Sequence, residues 1–191
     1  MKIYAIRHGE TDYNKLRLVQ GLMDNRLNKN GIDQANKVGL YLKQGNYTFD
    51  KIYATSLSRA YDTASIIKNW LEYTDNISTF DGFIERDFGP FEGKPVDETI
   101  KIISKDGFKQ KGYEDNEQML SRINNALLTL YKTNENNSVM FVCHSHTIKA
   151  LLMIAEKHKY NFLTYLNNAS MCVFEFDGVK LKVLNHNIVM I

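Results

Sequence analysis

Lys2-Ile3-Tyr4-Ala5-Ile6-Arg7-His8-Gly9 is the stretch that decides the fold, because a run of buried-strand composition stops abruptly at a cation, an imidazole and a glycine. A short apolar run ending in turn residues reads as a strand delivering polar groups to a sheet edge. The same pattern returns at Lys51 to Ala54, followed by Thr55-Ser56-Leu57-Ser58-Arg59, and at Val139 to Cys143, followed by His144-Ser145-His146-Thr147. Each polar turn leads into helical periodicity. Ala60, Ala64, Ile67 and Leu71 mark one helix, with Thr55, Ser56 or Ser58 as its N-cap, and Ile148 to Glu156 marks another.

Between these units the chain is polar and glycine-bearing as far as Gly31, where Ile32, Ala35, Val38, Gly39 and Leu42 begin a helix that Gly45-Asn46 stops. Ile77 to Phe80 reads as a weaker strand, Gly82 to Pro95 as an irregular loop, and Val96 to Ser104 as a short helix. After the polar stretch Lys105 to Asp115, Met119, Leu120, Ile123, Leu127 and Leu130 define an amphipathic helix over Glu117 to Tyr131. Met171 to Phe176 and Val179 to Leu184 flank Asp177-Gly178, a hairpin signal. Alternating strands and helices require right-handed crossovers, so the prediction is a three-layer α/β/α fold with a mainly parallel sheet and an antiparallel edge. At 191 residues the chain is expected to form one domain, 1–191, with 82–115 as a loop and helical lid over the site.

A formal net charge of +2, with 43% hydrophobic and 24% charged residues, describes an ordinary globular chain and does not call for nucleic acid as a partner. Ile3 to Ile6 is too brief for a signal peptide's apolar region, and no apolar run reaches membrane-spanning length. Cys143 and Cys172 show no C-x-x-C spacing, so neither a zinc site nor a disulfide framework is suggested, and the reducing cytoplasm is the expected location. Oligomeric state is left open.

In a parallel sheet, ligands gather beyond the carboxyl ends of the strands. Arg7 and His8 follow the first strand, Ser56 and Arg59 the second, Glu85 the third and His144 the fourth. Phosphoryl transfer needs a nucleophile, cations around the equatorial oxygens and an acid for the leaving oxygen. His8 meets the first need as a neutral imidazole, provided its other nitrogen donates to a fixed acceptor. Arg7 and Arg59 supply planar forks, His144 a further cation when protonated, and Glu85 the proton.

Ile6-Arg7-His8-Gly9-Glu10-Thr11 resembles the signature of the histidine phosphatase superfamily, also called the phosphoglycerate mutase-like family. Asn14, Gln20-Gly21, Leu27-Asn28, Gly31 and Gln34-Ala35 follow in that family's order, as do Ser56-Leu57-Ser58-Arg59-Ala60 with Thr63-Ala64. Glu85-Arg86-Asp87-Phe88-Gly89-Pro90-Phe91-Glu92-Gly93 is similar to its acid-bearing loop, and Val142-Cys143-His144 to the strand presenting its second histidine. The resemblance covers roughly Lys2 to Leu152. It implies that His8 is the phosphorylated histidine, that Arg7, Arg59 and His144 form the phosphate pocket, that Glu85 is the proton donor, and that Asn14, Gln20 and Gly21 line the substrate side. It also implies a metal-independent phosphomonoesterase without cofactor, acting on a small phosphorylated metabolite through a phosphohistidine.

Two departures from the family pattern bear on substrate. Ser145-His146 stands where two small residues usually follow the histidine, which adds Ser145 to the expected substrate-binding set. The long insert with paired arginines of the mutase branch is missing after Gly93, which favours hydrolysis over a phosphoglycerate mutase reaction. A non-catalytic regulatory module is the third reading, weakened by the presence of every expected catalytic residue. His146, His158 and His186 have no metal-binding pattern, though His146 lies near the pocket. Cys143 is expected to be a buried strand residue, since Lys149 occupies the arginine position of a C-x5-R phosphatase motif. Phe88, Phe91, Tyr113, Lys94, Lys109 and Lys111 are expected to form a substrate-covering lid, with a plain solvated loop as the alternative reading.

Overall fold

The computed structural model describes residues 1–105 and 107–190, so Asp106 within the expected lid and Ile191 at the end of the expected domain lie outside the described residues. β1 (Lys2–Arg7), β2 (Lys51–Ala54), β3 (Ser78–Thr79), β4 (Ser138–Cys143), β5 (Met171–Phe176) and β6 (Leu181–Ile188) form one sheet in the order β3-β2-β4-β1-β5-β6. The pairs β1 with β4, β4 with β2 and β2 with β3 are parallel, whereas β5 runs antiparallel to both β1 and β6. The predicted mainly parallel sheet with an antiparallel edge is therefore the fold observed.

The period of two in the central strands builds the layers. Ile3 and Ala5 of β1, with Val139, Phe141 and Cys143 of β4, pack against α5 (Asn116–Tyr131) and α6 (Ser145–Ala155). Tyr4 and Ile6, with Met140 and Val142, pack on the other face against α2 (Lys29–Gln44) and α3 (Ser58–Trp70). Burial of both faces explains why these strands read as continuous apolar runs. A third, smaller apolar cluster joins Val19, Phe88, Phe91, Ile103 and Tyr113 beyond the sheet's carboxyl edge.

Several boundaries differ from the sequence expectation for local reasons. α2 starts at Lys29 because the Asn28 side chain accepts from the Gly31 amide at 2.9 Å. A short α1 (Asp12–Lys15) interrupts the polar stretch, capped reciprocally by Thr11 and Asn14. α3 carries no side-chain cap: Ser58 N and Oγ both donate to Asp24 at 2.7 Å instead, and Ser56 N donates to Asp81. The strand expected over Ile77 to Phe80 shrinks to two exposed residues, Ser78–Thr79. In the hairpin, Asp177 Oδ1 accepts from the Val179 and Lys180 amides, delaying β6 to Leu181. Within 82–115, α4 (Val96–Ile103) forms as expected.

Candidate active site

His8 is fixed through its backbone before its side chain is considered. Its amide donates to Cys143 O at 3.0 Å, and its carbonyl accepts from Ala169 N at 3.1 Å, so the residue is pinned between β4 and the entry to β5. The next residue must be glycine for steric reasons. A Cβ on Gly9 would lie 2.4 Å from Gly31 O, and one on Gly31 would lie 2.1 Å from Glu10 O, so these two backbones meet only because neither carries a side chain.

The imidazole of His8 is 2% exposed, with Nδ1 2.7 Å from Gly9 O. A carbonyl can only accept, so Nδ1 carries the hydrogen and Nε2 the lone pair. Arg59 Nε donates to that lone pair at 3.2 Å. Burial first, then the charges of Arg59 and Arg7, hold the His8 pKa well below its ordinary 6.5, which keeps the ring neutral and nucleophilic near neutral pH.

Arg59 is wholly buried, and its fork is held by the carbonyls of Met23 and Gly21, each at 2.7 Å. Burial lowers its pKa to about 10, which leaves it charged. Arg7 is tied at one end, Nη1 to Leu166 O at 2.6 Å, while its Nε has no partner among the described residues. His144, whose ring centroid lies 5.3 Å from that of His8, shares a 2.8 Å hydrogen bond between Nε2 and Thr55 Oγ1. Burial and the charge of Arg59 hold His144 neutral in this arrangement, so its service as a cation depends on an anion arriving beside it.

Glu85 is buried and reaches the group from the segment after β3. Its carboxylate accepts from Arg86 N at 2.9 Å and from His146 N at 3.2 Å, which places it on the N-terminus of α6. α6 thus begins at Ser145, a full turn before the expected Ile148, because Glu85 satisfies one of its orphan amides. Arg122 of α5 holds the same segment, donating to Gly82 O and Ile84 O at 3.1 Å while its Nε and Nη2 grip Glu114 at 2.7 and 2.9 Å.

A cavity of about 390 Å³ opens against these groups, lined by Arg7, His8, Glu85, Asn14, Gln20 and Ser145 among others. Asn14 Oδ1 is engaged by Thr11 and Asn168, and Gln20 Oε1 by Thr11 and Asn25; Gln20 Nε2 has no partner among the described residues. Gly21 is not part of the wall. It supplies the carbonyl that holds Arg59, and a Cβ there would stand 2.5 Å from Arg86 O. Arg59 meets the cavity residue His8 through Nε2, and the His144 ring packs beside that of His8.

The far side of the cavity is formed by Val96, Thr99, Ile100 and Ile103 from α4, and by Phe162 to Leu166. The expected lid side chains are arranged differently from the sequence reading. Phe91 and Tyr113 are buried in the third apolar cluster, Phe88 belongs to both cluster and cavity wall, and Lys109 pairs with Glu117 and Asp115 at the surface. Sequence reasoning missed Lys149 as a cavity residue, treating it only as a broken cysteine-phosphatase motif. Its position one helical turn after Ser145 was the available signal. Cys143 is fully buried with its thiol pKa pushed up by burial, as a strand residue should be. Among the described residues, no three His, Cys, Asp or Glu side chains are grouped so as to hold a metal ion, and no helix is long and apolar enough to cross a membrane.

The arrangement defines a phosphoglycerate mutase-like α/β fold with a neutral histidine and two arginines converging at strand ends. The profile of the histidine phosphatase superfamily (branch 1) matches residues 3–189, and the chain belongs to that superfamily. It is 34% identical to the uncharacterized phosphatase PhoE of Bacillus subtilis (strain 168), over 97% of this chain and 94% of that protein. A mutant phosphoserine phosphatase from Entamoeba histolytica, solved with phosphoserine, superposes with a TM-score of 0.80 at 29% identity, covering 97% of this chain and 96% of that one. The phosphoglycerate mutase of Bacillus anthracis shares the fold, with a TM-score of 0.87 at 22% identity over 98% and 93% of the two chains.

Proposed function

We propose that this protein is a phosphomonoesterase that hydrolyses small phosphorylated metabolites without a metal ion, by way of a phosphohistidine on His8. The observation that carries the reading is the 2.7 Å contact from His8 Nδ1 to Gly9 O, which leaves the Nε2 lone pair to Arg59 Nε on a residue that lines the cavity. Full-length similarity to phosphatases of this superfamily supports hydrolysis as the outcome.

In the first step Nε2 attacks phosphorus as the bond to the leaving oxygen breaks, and Glu85 gives that oxygen a proton. The entering phosphoryl group takes over the Arg59 Nε–H that otherwise rests on Nε2, and Arg7 meets a second oxygen. The dianion favours protonation of His144, which then adds a third positive donor. In the second step water attacks phosphorus, Glu85 takes its proton, and the P–N bond breaks to restore His8. Asn14, Gln20 and Ser145 contact the substrate from the cavity wall, while Gly21 acts through its hold on Arg59. The segment 82–115 serves as a cover chiefly through α4, within a single domain, in a cytoplasmic protein.

Phosphate release from phenyl phosphate with excess chelator, by wild type and His8→Ala side by side, tests the reading. Turnover that survives chelation and disappears in the variant is expected. Turnover that needs a divalent ion, or that persists in His8→Ala, would remove it.

A further inference from the structure

Arg59 is wholly buried, yet the groups it donates to are all neutral: His8 Nε2, Met23 O and Gly21 O. A buried guanidinium ordinarily has an anion close at hand, because an unpaired charge away from water is costly. Burial lowers the Arg59 pKa, and Glu85, Asp24 and Glu92 are the charges that oppose it. Two of these carboxylates are engaged elsewhere, Asp24 by the amide and hydroxyl of Ser58 and Glu85 by the amides of Arg86 and His146.

Glu92 reaches Arg59 through the backbone. Its Oε1 accepts from Leu22 N at 2.6 Å and its Oε2 from Met23 N at 2.9 Å. Leu22 N and Gly21 O belong to one peptide group, so a single amide stands between the carboxylate and Arg59 Nη2, bonded to them at 2.6 and 2.7 Å. Met23 repeats the arrangement within one residue, its N–H on Glu92 and its carbonyl on Arg59 Nη1 at 2.7 Å. An amide whose N–H faces an anion is a better acceptor at its oxygen, since successive hydrogen bonds polarise one another.

The close approach is built into the chain. A Cβ on Gly21 would stand 2.5 Å from Glu92 Oε1, so glycine lets the carboxylate lie against the loop. Glu92 is itself held, its amide donating to Gly89 O at 3.1 Å, and the next residue, Gly93 at φ 77°, donates to Val19 O at 2.8 Å. Lys94 O accepts from Val19 N at 2.9 Å, which fastens the Glu92 segment to the start of the run that carries Gly21 and Met23.

We propose that Glu92 is a positioning residue for phosphoryl transfer: through the amides of Leu22 and Met23 its charge fixes and polarises the two carbonyls that hold the Arg59 fork against the phosphoryl group. Without that charge the carbonyls grip less firmly, and the guanidinium loses the alignment that the transition state needs. The proposal rests on the phosphatase reading of the site and adds a group that does not line the cavity.

The test is a double-mutant cycle of Glu92→Gln with Arg59→Lys, read by kcat/KM on phenyl phosphate and on an alkyl phosphate, and by calorimetric binding of inorganic phosphate. Glutamine keeps the size and one acceptor oxygen but removes the charge. With Arg59 present, Glu92→Gln is expected to lower kcat/KM about tenfold on both esters and to weaken phosphate binding roughly threefold. In the Arg59→Lys background it should cost less than about twofold in either measure, because a lysine cannot span the two carbonyls. Glu92→Asp keeps the charge and should be the less impaired variant; it takes the place of Glu92→Gln in the cycle if that protein does not fold. Equal losses in the two backgrounds, a lowered melting temperature with kcat/KM untouched, or Glu92→Asp no better than Glu92→Gln would overturn the proposal. The binding cycle does not need turnover, so a wild type that binds phosphate but hydrolyses neither ester refutes the phosphatase reading while binding still judges Glu92. A wild type that does neither refutes both.

Discussion

The phosphate end of the cavity hangs from strand ends, whereas the opposite end is walled by α4 and the loop from Phe162 to Asn168. At the first end, the fork of Arg59 is fully committed, His8 is locked by its backbone and its Nδ1, and His144 is tied to Thr55. At the second, Leu163 and Tyr165 are exposed and Arg86 is buried with unused donors. Rigidly anchored groups suit a step that is the same for every phosphomonoester, and the two atoms left without a partner there among the described residues are Arg7 Nε and His144 Nδ1. Loosely satisfied cations and apolar walls suit the part of the substrate that varies.

The largest way to break the first end is Arg59→Lys. A lysine cannot hold Met23 O, Gly21 O and the phosphoryl oxygen together, so kcat/KM is expected to fall on the order of 100-fold to 1000-fold for every ester alike. Steady-state kinetics on two unrelated phosphates checks this, since a loss confined to one would move Arg59 to the specificity side. Next comes Arg122→Met, which releases the carbonyls flanking Glu85 without touching the cavity. It should lower kcat roughly tenfold, most for esters with poorly leaving alcohols that need the proton. Equal losses on an aryl and an alkyl phosphate would show that Arg122 does not position the acid.

Acid stability reports on the buried imidazoles of both ends, since burial holds His146 well below 6.5 as well. His8 and His144 both have folded-state pKa values depressed below 6.5 by burial, so their contribution is intact above 6.5. It is lost as pH falls below that value, at about 1.4 kcal/mol per pH unit for each ring, because only the unfolded chain takes up the proton. Denaturant melts from pH 7 downwards should steepen accordingly, and phosphate, by favouring the charged rings, should flatten the slope. A slope unchanged by phosphate would contradict the shared site. The smallest effect belongs to the far wall: Ile100→Ala should raise KM a few-fold for esters with apolar alcohols and leave kcat nearly unchanged. A larger effect on kcat would mean that α4 helps to align the phosphate end as well.

The two ends also differed in how far they could be read from sequence. Arg7, His8, Arg59 and His144 follow strands with strong periodic signals, so the parallel sheet that brings them together could be inferred, and Glu85 came through its motif loop. The far end depends on residues whose partners are distant in the chain. Arg86 meets Tyr113 and Phe162, and Lys149 meets the Phe162 carbonyl, pairings that no local spacing encodes. The lid aromatics were misread for the same reason, because the polar sequence around Tyr113 hides its packing on Phe88 and Phe91. The early start of α6 was obscured because His144-Ser145-His146-Thr147 is a polar turn in composition, and only the carboxylate of Glu85, arriving from another strand end, extends the helix through it.

The most direct measurement is a rapid acid-sparing quench of the protein during turnover of a phosphomonoester, with the phosphorylated peptide located by mass spectrometry. A single phosphoryl group, labile to acid and stable to base, on the peptide containing His8 is the predicted result. Phosphate found on the His144 peptide, or turnover with no phosphorylated histidine at any quench time, would contradict the assignment of Nε2 of His8 as the nucleophile.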